Sequence, residues 1–345
     1  GFSAKKTLDL AQALYEKHKV ITYPRTNSNY VNEQNIPEMH RALESLRGTM
    51  YAPLGDGASR QLVHKNNKGV CNPAKVEDHH AILPTYKKAS GLSTDEHKIY
   101  DLVIRRFLSH FYPAADYKLH TIWTETAGER FKTTVKEQVA PGWKAVYADM
   151  APDNGRGKAA AKRKAEEKAD DGQDQEEELR DSPFLLDPAG GVMCNRAEVK
   201  EKETNPPKPY SEGTLLKAME SAGKQIEDEE LREAMKDCGL GTPATRAATI
   251  ERLKQVGYIE MKGKRIEITR KGRAAVEIFR GAGIHLLTSP EMTGLWERRL
   301  NQIARGEAEE TAFMEKVKQF AMMIVDKARE QPSAPRTAFG EPEAV

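Results

Sequence analysis

The feature that most constrains the fold is a charged, low-complexity stretch at residues 152–182. It is basic around Arg163 and acidic around Glu177, and it carries almost no large apolar side chains. Such a segment cannot bury enough apolar surface to offset the entropy lost on ordering. We therefore expect a disordered charged loop here, inserted between the strands of a sheet, with packed domains on both sides of it.

Outside this loop the composition is that of an ordinary globular protein. The chain has 345 residues, 38% of them hydrophobic, which allows about two to three packed domains. No run of about 18 apolar residues occurs, so neither a transmembrane helix nor a membrane partner is predicted. The 54 Lys and Arg nearly balance the 52 Asp and Glu. The net charge of +2 therefore says little about partners, and the placement of charge matters more.

The cysteines and the first residues of the chain bear on which kinds of protein it can be. Cys71, Cys194 and Cys238 are far apart and odd in number, which excludes a disulfide scaffold and a CxxC zinc ribbon within this sequence. A reduced cytosolic setting fits this cysteine use. The chain begins with Gly1 and without a signal-peptide pattern, so we expect a trimmed chain or a fragment.

The first stretch, residues 1–112, has mainly helical patterns. Ser3 can cap a helix that carries Tyr15 among its apolar residues at helical spacing. Ser93 with Glu96 three residues later is a capping-box pattern that begins a second helix, which is predicted to have Ile99, Leu102, Val103 and Phe107 on one face. The second stretch, residues 113–208, alternates and is rich in β formers, which predicts an antiparallel meander. The predicted strands are 117–124, 131–135 and 143–147, with the sheet resuming at 192–193 and 197–199.

The third globular stretch, residues 209–331, is helical again. Ser211 can cap one helix, and Thr242-Pro243 is a good start for another, which Gly257 would end. A short hairpin with a Lys-Gly-Lys turn at 262–264 follows, and two helices before such a hairpin are a winged-helix pattern. The tail, residues 332–345, is Pro-rich and predicted to fray.

Residues that could carry chemistry lie first in the motif Ile21-Thr22-Tyr23-Pro24-Arg25-Thr26. Tyr23 is a candidate nucleophile, and Arg25 offers a planar fork that matches phosphate oxygens. On these residues alone, the alternative is a half-buried strand tyrosine and a surface cation. Asp78-His79-His80 is a second candidate, in which His79 could donate a hydrogen bond to a phosphate. The alternative is that these histidines only satisfy the hydrogen bonding of a loop. Adjacent histidines point in different directions, so a shared metal is disfavoured and no metal ligands are predicted.

A third candidate is the loop Gly239-Leu240-Gly241-Thr242, which leads into a predicted helix. Thr242, Thr245 and Arg246 would lie in its first turn, where free N–H groups favour a phosphate. Positive charge around the following hairpin suits a nucleic-acid backbone. The alternative for the threonine loop is a simple helix cap, and the alternative for the basic hairpin is a solvated surface.

Taken together, the motifs resemble the type IA DNA topoisomerases, over nearly the whole chain to about residue 325. The matching motifs are, in order, GFSAKKT, ITYPRT, HHAILPT, a helix with Arg105-Arg106-Phe107, PPKPYSEGTLLKAME, GLGTPATRAATIERLKQVGYI and MTGLWERRLNQIARGE. The proline in ITYPRT and the spacer before GLGTPATRA are most similar to the topoisomerase III branch.

The resemblance implies a multidomain α+β fold that is part of a toroid. Its parts would be a tyrosine-bearing gate domain (1–112), a β arch (113–208) and a winged-helix domain that binds single-stranded DNA (209–331). Tyr23 would form a 5′-phosphotyrosine with one cleaved strand, Arg25 would orient the scissile phosphate, and His79 would help to hold it. The DNA-binding residues would be Lys6, His80, Arg105, Lys217, Thr242, Thr245 and Arg246.

The resemblance also implies what surrounds the reaction. Two transesterifications would change DNA topology without ATP, on single-stranded or underwound DNA in the bacterial cytosol or nucleoid. A helicase would be a further partner by family analogy. The family binds Mg²⁺ in a Toprim domain that nothing here matches, and the C-terminal zinc ribbons of relatives have no counterpart. We therefore expect a piece that binds single-stranded DNA and lacks full relaxation activity.

Two other classes share parts of this pattern. A non-catalytic winged-helix DNA-binding protein would need the basic hairpin but not ITYPRT or HHAILPT. A recombinase or relaxase would also form a phosphotyrosine. Recombinases carry their tyrosine near the C-terminus, however, and relaxases carry a histidine cluster for metal.

Overall fold

The computed structural model divides into two compact units. One unit runs from Leu10 to Lys208, and the other joins Gly1–Asp9 to the chain from Pro209 onward. The chain passes from one unit to the other after Lys208, and residues 10–112 and 113–208 belong to the same unit. The predicted division into three domains stays a prediction. The described residues are 1–76, 78–150, 179–180, 187, 190–191, 193–196, 198–199, 201, 203–204, 206–235 and 239–331. The loop predicted at 152–182 lies outside them apart from 179–180, as does the tail at 332–345.

The described part of the chain contains helices, a three-stranded sheet and a small hairpin. The α-helices are α1 Ala4–Glu16, α2 Ile36–Ser45, α3 Ala52–Gly55, α4 Thr94–Ser109, α5 Glu212–Glu220, α6 Glu229–Ala234, α7 Arg246–Val256, α8 Arg270–Gly281, α9 Glu291–Ala304 and α10 Glu310–Glu330. The strands are β1 Asp116–Thr126, β2 Glu129–Ala140, β3 Leu179–Arg180, β4 Ile259–Lys262 and β5 Arg265–Ile268. None of the described helices has both the length and the apolar character needed to cross a bilayer.

The predicted helix starts are confirmed where a side chain caps the first turn. The Ser3 hydroxyl accepts from the Lys6 amide at 3.2 Å at the start of α1. Ser93 and Glu96 form the predicted reciprocal capping box at the start of α4. The Ser211 hydroxyl accepts from the Thr214 amide at the start of α5. These caps satisfy amides that a helix leaves unpaired at its first turn.

Glu96 is buried and doubly engaged at the start of α4. Its carboxylate accepts from the Ser93 amide at 2.7 Å and lies 3.1 Å from the His18 Nε2 atom. The hydrogen bonds from Ser93 and then from His18 lower the pKa of Glu96 to about 2, from an ordinary value of 4.5. Because the folded state holds this carboxylate ionised, its contribution to stability is present above pH 4.5 and is lost as the pH falls toward 2.

Replacing Glu96 by glutamine is expected to flatten the acid side of the stability curve. Glutamine preserves the capping box but does not titrate, so the slope between pH 4.5 and 2 should decrease by up to about 1.4 kcal/mol per pH unit. Urea unfolding measured across this pH range tests the prediction. The exposed Glu129→Gln is the control, and a Glu96→Gln curve as steep as that of the unchanged chain would contradict the assignment.

The buried face of α4 differs from the predicted one. Ile99 and Phe107 are buried as expected, but Leu102 is exposed and Ile104 and Leu108 are buried instead. Residues four apart lie on one face of a helix, so the packed face combines the stripe through Tyr100, Ile104 and Leu108 with Ile99 and Phe107 beside it. The prediction that Leu102 faces the core was therefore wrong.

The antiparallel hairpin β1–β2 is confirmed, with Trp123 opposite Lys132 in its register. The third predicted strand, 143–147, is wrong, because residues Gly142–Met150 form a 3₁₀ helix. Gly142 has a φ of +49°, and the Trp143 amide donates to the Pro113 carbonyl at 2.9 Å. Val146 is completely buried, so the apolar spacing in this segment is helical rather than alternating.

The predicted continuation of the sheet is also wrong where the structure describes it. Met193 and Val199 are exposed and lie outside any strand, while Val192 and Ala197 lie outside the described residues. Strand residues are stabilised by packing of their side chains on one face of a sheet. The exposed side chains of Met193 and Val199 lack such packing. The third strand is instead β3, which pairs in parallel with β2 through Lys136 and Glu137.

The unit that begins at Pro209 has its own core and the predicted hairpin. Its buried cluster is Ala222, Ile226, Leu231 and Met235, with Leu240 and Leu295 packed against it. Helix α7 ends at Gly257 in the left-handed region (φ +79°), as predicted. Strands β4 and β5 pair antiparallel across a turn that contains Gly263. A helix followed by this small hairpin is the arrangement expected of a winged helix.

Candidate active site

Two segments that are far apart in sequence lie side by side around Tyr23. The Thr22 amide donates to the Leu83 carbonyl at 2.8 Å, and the Thr85 amide donates to the Val20 carbonyl at 2.9 Å. Ile21 forms an antiparallel bridge with Pro84 and is buried with Val20 and Leu83. The apolar residues of the ITYPRT and HHAILPT motifs thus fix the two segments together, and their polar ends meet at one place.

Tyr23 and His79 meet at that place. Their ring centroids are 4.4 Å apart with the planes tilted by 50°. The Thr26 hydroxyl donates to the His79 carbonyl at 2.8 Å, which holds the histidine backbone beside the tyrosine. Tyr15 of α1 contacts the other side of Tyr23 edge-on, at 5.4 Å. The Tyr23 ring is half-buried between a helix and an exposed imidazole, so its position is fixed while the site stays accessible.

Arg25 lies two residues beyond Tyr23 and has an unsatisfied donor. Its Nε atom is buried and has no hydrogen-bond partner in the described part of the chain. A buried donor without a partner costs about 1–3 kcal/mol. An anion with several oxygens, such as a phosphate, would satisfy the guanidinium fork. The site therefore combines a nucleophilic side chain, an imidazole and a guanidinium whose Nε has no partner among the described residues.

His80 turns away from the ring contact that His79 makes. Its Nδ1 atom lies 2.7 Å from the Ala81 carbonyl and must donate to it, so this ring nitrogen is committed to the backbone. Within the described residues no three His, Cys, Asp or Glu side chains are grouped as metal ligands would be. The described residues therefore do not fit the Mg²⁺ that the sequence resemblance implies.

Arg105, a predicted DNA contact, is committed inside the fold. It is only 6% exposed, and its two terminal nitrogens donate to Asp149 at 2.6 and 2.8 Å. Its Nε donates to Asp101 at 3.0 Å, and one terminal nitrogen also donates to the Val146 carbonyl. The Asp149 hydrogen bonds raise the pKa of Arg105. These contacts favour a structural role that ties α4 to the 3₁₀ helix.

Arg105→Ala is therefore expected to act on stability rather than on DNA affinity alone. Removing the guanidinium leaves the largely shielded Asp101 carboxylate and the Val146 carbonyl without their donor. Because Asp149 is largely exposed, the loss should be about 2 kcal/mol of unfolding free energy. Urea unfolding measures it, with the exposed neighbour Arg106→Ala as control, expected within about 0.5 kcal/mol of the unchanged chain. Weaker DNA binding at unchanged stability would instead support the sequence prediction.

The loop before α7 differs from the sequence prediction at its start. Helix α7 begins at Arg246 with Thr245 as its N-cap residue, so Thr242-Pro243 is not the helix start. The Thr242 carbonyl accepts from the amides of both Thr245 and Arg246, each at 3.0 Å. The Thr245 hydroxyl accepts from the Thr242 amide at 2.9 Å. This reciprocal bonding closes a turn that comes before the helix.

Within that loop the threonines are exposed and the arginine is not. Arg246 is buried and donates to the carbonyls of Leu240 and Gly241, at 3.0 and 3.1 Å. Its contacts brace the glycine loop from inside. Thr242 and Thr245 are exposed, so their hydroxyls and backbone are the parts of this motif that a ligand can reach.

The remaining predicted contacts are surface cations. Lys6 of α1 is exposed and lies over the Phe2 ring at 4.4 Å, and Lys217 is exposed on α5. The basic hairpin is less positive than its lysines suggest, because Lys262 pairs with Glu267 at 2.6 Å and with Glu260 at 3.8 Å. Lys6, Lys217 and the two threonines belong to the unit that contains the hairpin, whereas Tyr23, Arg25 and His79 belong to the other.

Sequence reasoning missed the residues that hold Tyr23 in place. The sequence pattern places Tyr15 among the apolar residues of a helix, and it gives Thr22 and Thr26 no role beyond membership of the ITYPRT motif. The Thr22 hydroxyl accepts from the Leu83 amide at 2.8 Å, and the Thr26 hydroxyl binds the backbone of His79. The alternation of threonines with Tyr23 and Arg25 is the signal that could have found them, since side chains two apart share a face.

Comparison with known proteins places this geometry in a family. A family model described as DNA topoisomerase matches residues 1–315. DNA topoisomerase 3 of Bacillus licheniformis is 37% identical over 331 residues, which cover 94% of this chain and 42% of the relative. DNA topoisomerase 3 of Bacillus subtilis is 36% identical over 335 residues, covering 95% and 43%. The solved structure of full-length topoisomerase I from Thermotoga maritima has a TM-score of 0.60 at 22% identity, and the match covers 94% of this chain and 46% of that chain.

These matches agree with the ordered motifs. The chain spans less than half the length of the two Bacillus relatives, and the likeness to the Thermotoga structure shows the fold. Because the family model covers most of the chain and the motifs around Tyr23 lie within it, the sequence resemblance is confirmed. The chain belongs to the type IA family of DNA topoisomerases.

Proposed function

We propose that this chain cleaves and rejoins one strand of DNA through Tyr23, within a topoisomerase of the topoisomerase III branch. The observation that carries the proposal is the contact between Tyr23 and His79, with 4.4 Å between their ring centroids. Arg25, two residues after Tyr23, adds a buried Nε that has no hydrogen-bond partner among the described residues. Attack on a phosphodiester needs a nucleophile and donors that stabilise the charge on the phosphate. The phenol, the imidazole and the guanidinium donor are groups of these kinds.

The proposed reaction consists of two opposite transesterifications. The Tyr23 phenol loses its proton to solvent as its oxygen attacks the scissile phosphorus. A bond from that oxygen to phosphorus forms, and the bond from phosphorus to the 3′ oxygen breaks. The released 3′ oxygen takes a proton and becomes a hydroxyl, and the 5′ phosphate stays on Tyr23. The reverse attack by the 3′ hydroxyl restores the strand. The number of phosphoester bonds is unchanged in each step, so ATP is not needed.

Arg25 and His79 have distinct proposed roles in these steps. A phenol is a weak nucleophile unless cations stabilise its anion and the charge on the phosphate. Arg25 would donate to the non-bridging oxygens, where negative charge builds up as phosphorus becomes five-coordinate. His79 is exposed and lies beside the phenol. From this position its imidazole would hydrogen-bond the same phosphodiester. Both residues thus contact the phosphate of the DNA and not its nucleobases.

The DNA substrate is proposed to be single-stranded or underwound. In the unit that joins Gly1–Asp9 to the chain from Pro209, the exposed side chains that would contact the DNA backbone are Lys6, Lys217, Thr242 and Thr245. His80 would contribute through its ring nitrogen that does not face Ala81. The gate, arch and winged-helix domains of 1–112, 113–208 and 209–331 remain our proposed layout. A location in the bacterial cytosol or nucleoid follows from this substrate, and a partner helicase stays an expectation of the resemblance.

The experiment is to trap the cleaved complex and read its polarity. The gene product that carries this chain is mixed with Mg²⁺ and a single-stranded oligonucleotide labelled at either end, and the reaction is stopped with denaturant. We expect a protein-linked product that retains the 3′ label and a free product that retains the 5′ label. A 3′-linked adduct would instead indicate recombinase chemistry. Sequence-specific duplex binding without any adduct would indicate a non-catalytic winged-helix protein.

A further inference from the structure

One face of the β1–β2 hairpin combines exposed apolar side chains with lysines. Trp123 is 63% exposed and Leu119 is 60% exposed. Directly opposite residues of an antiparallel pair lie on the same face, so the register defines this outer face. The outer face consists of Tyr117, Leu119, Thr121 and Trp123 on β1, with Lys132, Thr134, Lys136 and Gln138 on β2.

The lysines of the outer face lie beside its aromatic rings. The Lys132 Nζ is 5.9 Å from the Trp123 ring centroid, and the Lys136 Nζ is 4.5 Å from that of Tyr117. Lys144, from the 3₁₀ helix after β2, places its Nζ 4.9 Å from the Tyr117 ring. Each cation is thus held next to a π surface. The face presents rings and positive charges in alternation.

The acidic charge of the hairpin does not cancel these lysines. Glu125, at the end of the outer face, is paired with Arg130 opposite it, at 3.3 Å. Glu137 lies on the opposite face and pairs with His120 at 2.8 Å. The outer face is therefore positive, and a polyanion complements it.

The opposite face of the hairpin has a different character. Val135 is buried there, and the His120–Glu137 pair is largely shielded from solvent. Phe131 is the exposed ring of that face, at 49%. Since the opposite face is the one that packs inward, the exposure of Trp123 and Leu119 is not explained by core packing. Phe131 also provides an internal comparison, as an exposed ring on the same hairpin.

We infer that the outer face binds a single-stranded segment of DNA at a site separate from Tyr23. Unpaired bases stack on aromatic rings, and the phosphates between them bind lysines. Tyr117 and Trp123 are six residues apart, about 20 Å along a strand, which accommodates a short run of nucleotides. A duplex offers no free base faces to the rings, and an apolar protein partner would have to desolvate the lysines. The DNA class rests on the proposed function, but the contact does not depend on cleavage.

The test is equilibrium binding of a fluorescent oligothymidine of about 12 nucleotides, measured by fluorescence anisotropy. All variants carry Tyr23→Phe, so that no covalent adduct with DNA forms during the measurement. Trp123→Ala should weaken binding by about 5- to 100-fold. The double variant Lys132→Gln, Lys136→Gln should lower the slope of log affinity against log salt by about 1.4. Trp123→Phe should restore part of the affinity, and the matched control Phe131→Ala should change it by less than about twofold.

Three outcomes would overturn the inference. Trp123→Ala could weaken binding no more than Phe131→Ala does, or a duplex of equal length could compete as well as the single strand. Alternatively, sedimentation could show that Trp123→Ala abolishes self-association without changing DNA affinity, which would make the face a contact between copies. Unfolding curves check that each variant is folded. Because adduct formation is assayed separately with Tyr23 intact, failure of this inference and failure of the cleavage proposal are distinguishable.

Discussion

Tyr23→Phe is expected to abolish strand cleavage while leaving the fold and DNA binding unchanged. Removing the nucleophile of a covalent mechanism lowers the rate by at least about 10⁴-fold. Phenylalanine keeps the ring that contacts Tyr15 and His79, so only the attacking oxygen is lost. Relaxation of negatively supercoiled DNA by the gene product that carries this chain, with Mg²⁺ present, measures the rate.

The matched control for this prediction is Tyr15→Phe. Tyr15 lies against Tyr23 with its ring edge-on, and phenylalanine preserves that contact. Its relaxation rate should stay within about threefold of the unchanged protein. Single-strand affinity of Tyr23→Phe should also be unchanged, since the phenol oxygen is assigned to attack and not to binding. Relaxation that survives Tyr23→Phe, or that disappears in Tyr15→Phe, would contradict the choice of nucleophile.

Arg25→Ala is expected to have the second-largest effect, a loss of about 10²- to 10³-fold in the cleavage rate. That is the scale for removing one preorganised donor to a developing negative charge. Because the Arg25 Nε is buried without a partner among the described residues, its removal should not lower the unfolding free energy by more than about 1 kcal/mol. The combination of slow cleavage with retained stability identifies a residue whose partner is the substrate. Single-turnover cleavage and urea unfolding measure the two quantities.

Two variants sharpen the assignment of Arg25. Arg25→Lys keeps the charge but not the planar fork, so it should recover only part of the rate. The exposed Arg47→Ala, on the same unit and paired with Glu44 at the surface, should leave cleavage within about twofold of the unchanged protein. If Arg25→Ala slowed cleavage less than tenfold, or unfolded the protein, the guanidinium would be structural instead.

Local patterns predicted the parts of the fold that depend on neighbours in sequence. The capping box of Ser93 and Glu96 and the cap at Ser211 involve residues three apart, so the sequence contains both partners. The turn at Gly263 and the end of α7 at Gly257 depend on the backbone freedom of one residue. The prediction of a strand at 143–147 is wrong because Trp143, Val146 and Tyr147 follow helical spacing. Five residues are too few to distinguish helical spacing from the alternation of a strand.

The site could be predicted in type but not in geometry. The motif resemblance indicated that Tyr23, Arg25 and His79 act together, but their pairing depends on backbone bonds between segments about sixty residues apart. Charge alone also did not reveal the internal partners of Arg105 and Arg246. The partner Asp149 lies 44 residues from Arg105, and Arg246 turns back onto the carbonyls of its own loop. A sequence shows that an arginine is present but not whether it faces an internal acceptor or a phosphate.

The most direct measurement identifies the residue that becomes linked to DNA. The cleaved complex is trapped with denaturant on a single-stranded oligonucleotide, digested with protease and nuclease, and sequenced by mass spectrometry. The proposed chemistry predicts a nucleotide attached through its 5′ phosphate to the tyrosine of the peptide that contains Ile21-Thr22-Tyr23-Pro24-Arg25. A linkage to Tyr15, to Tyr30 or to any residue other than Tyr23 would contradict it.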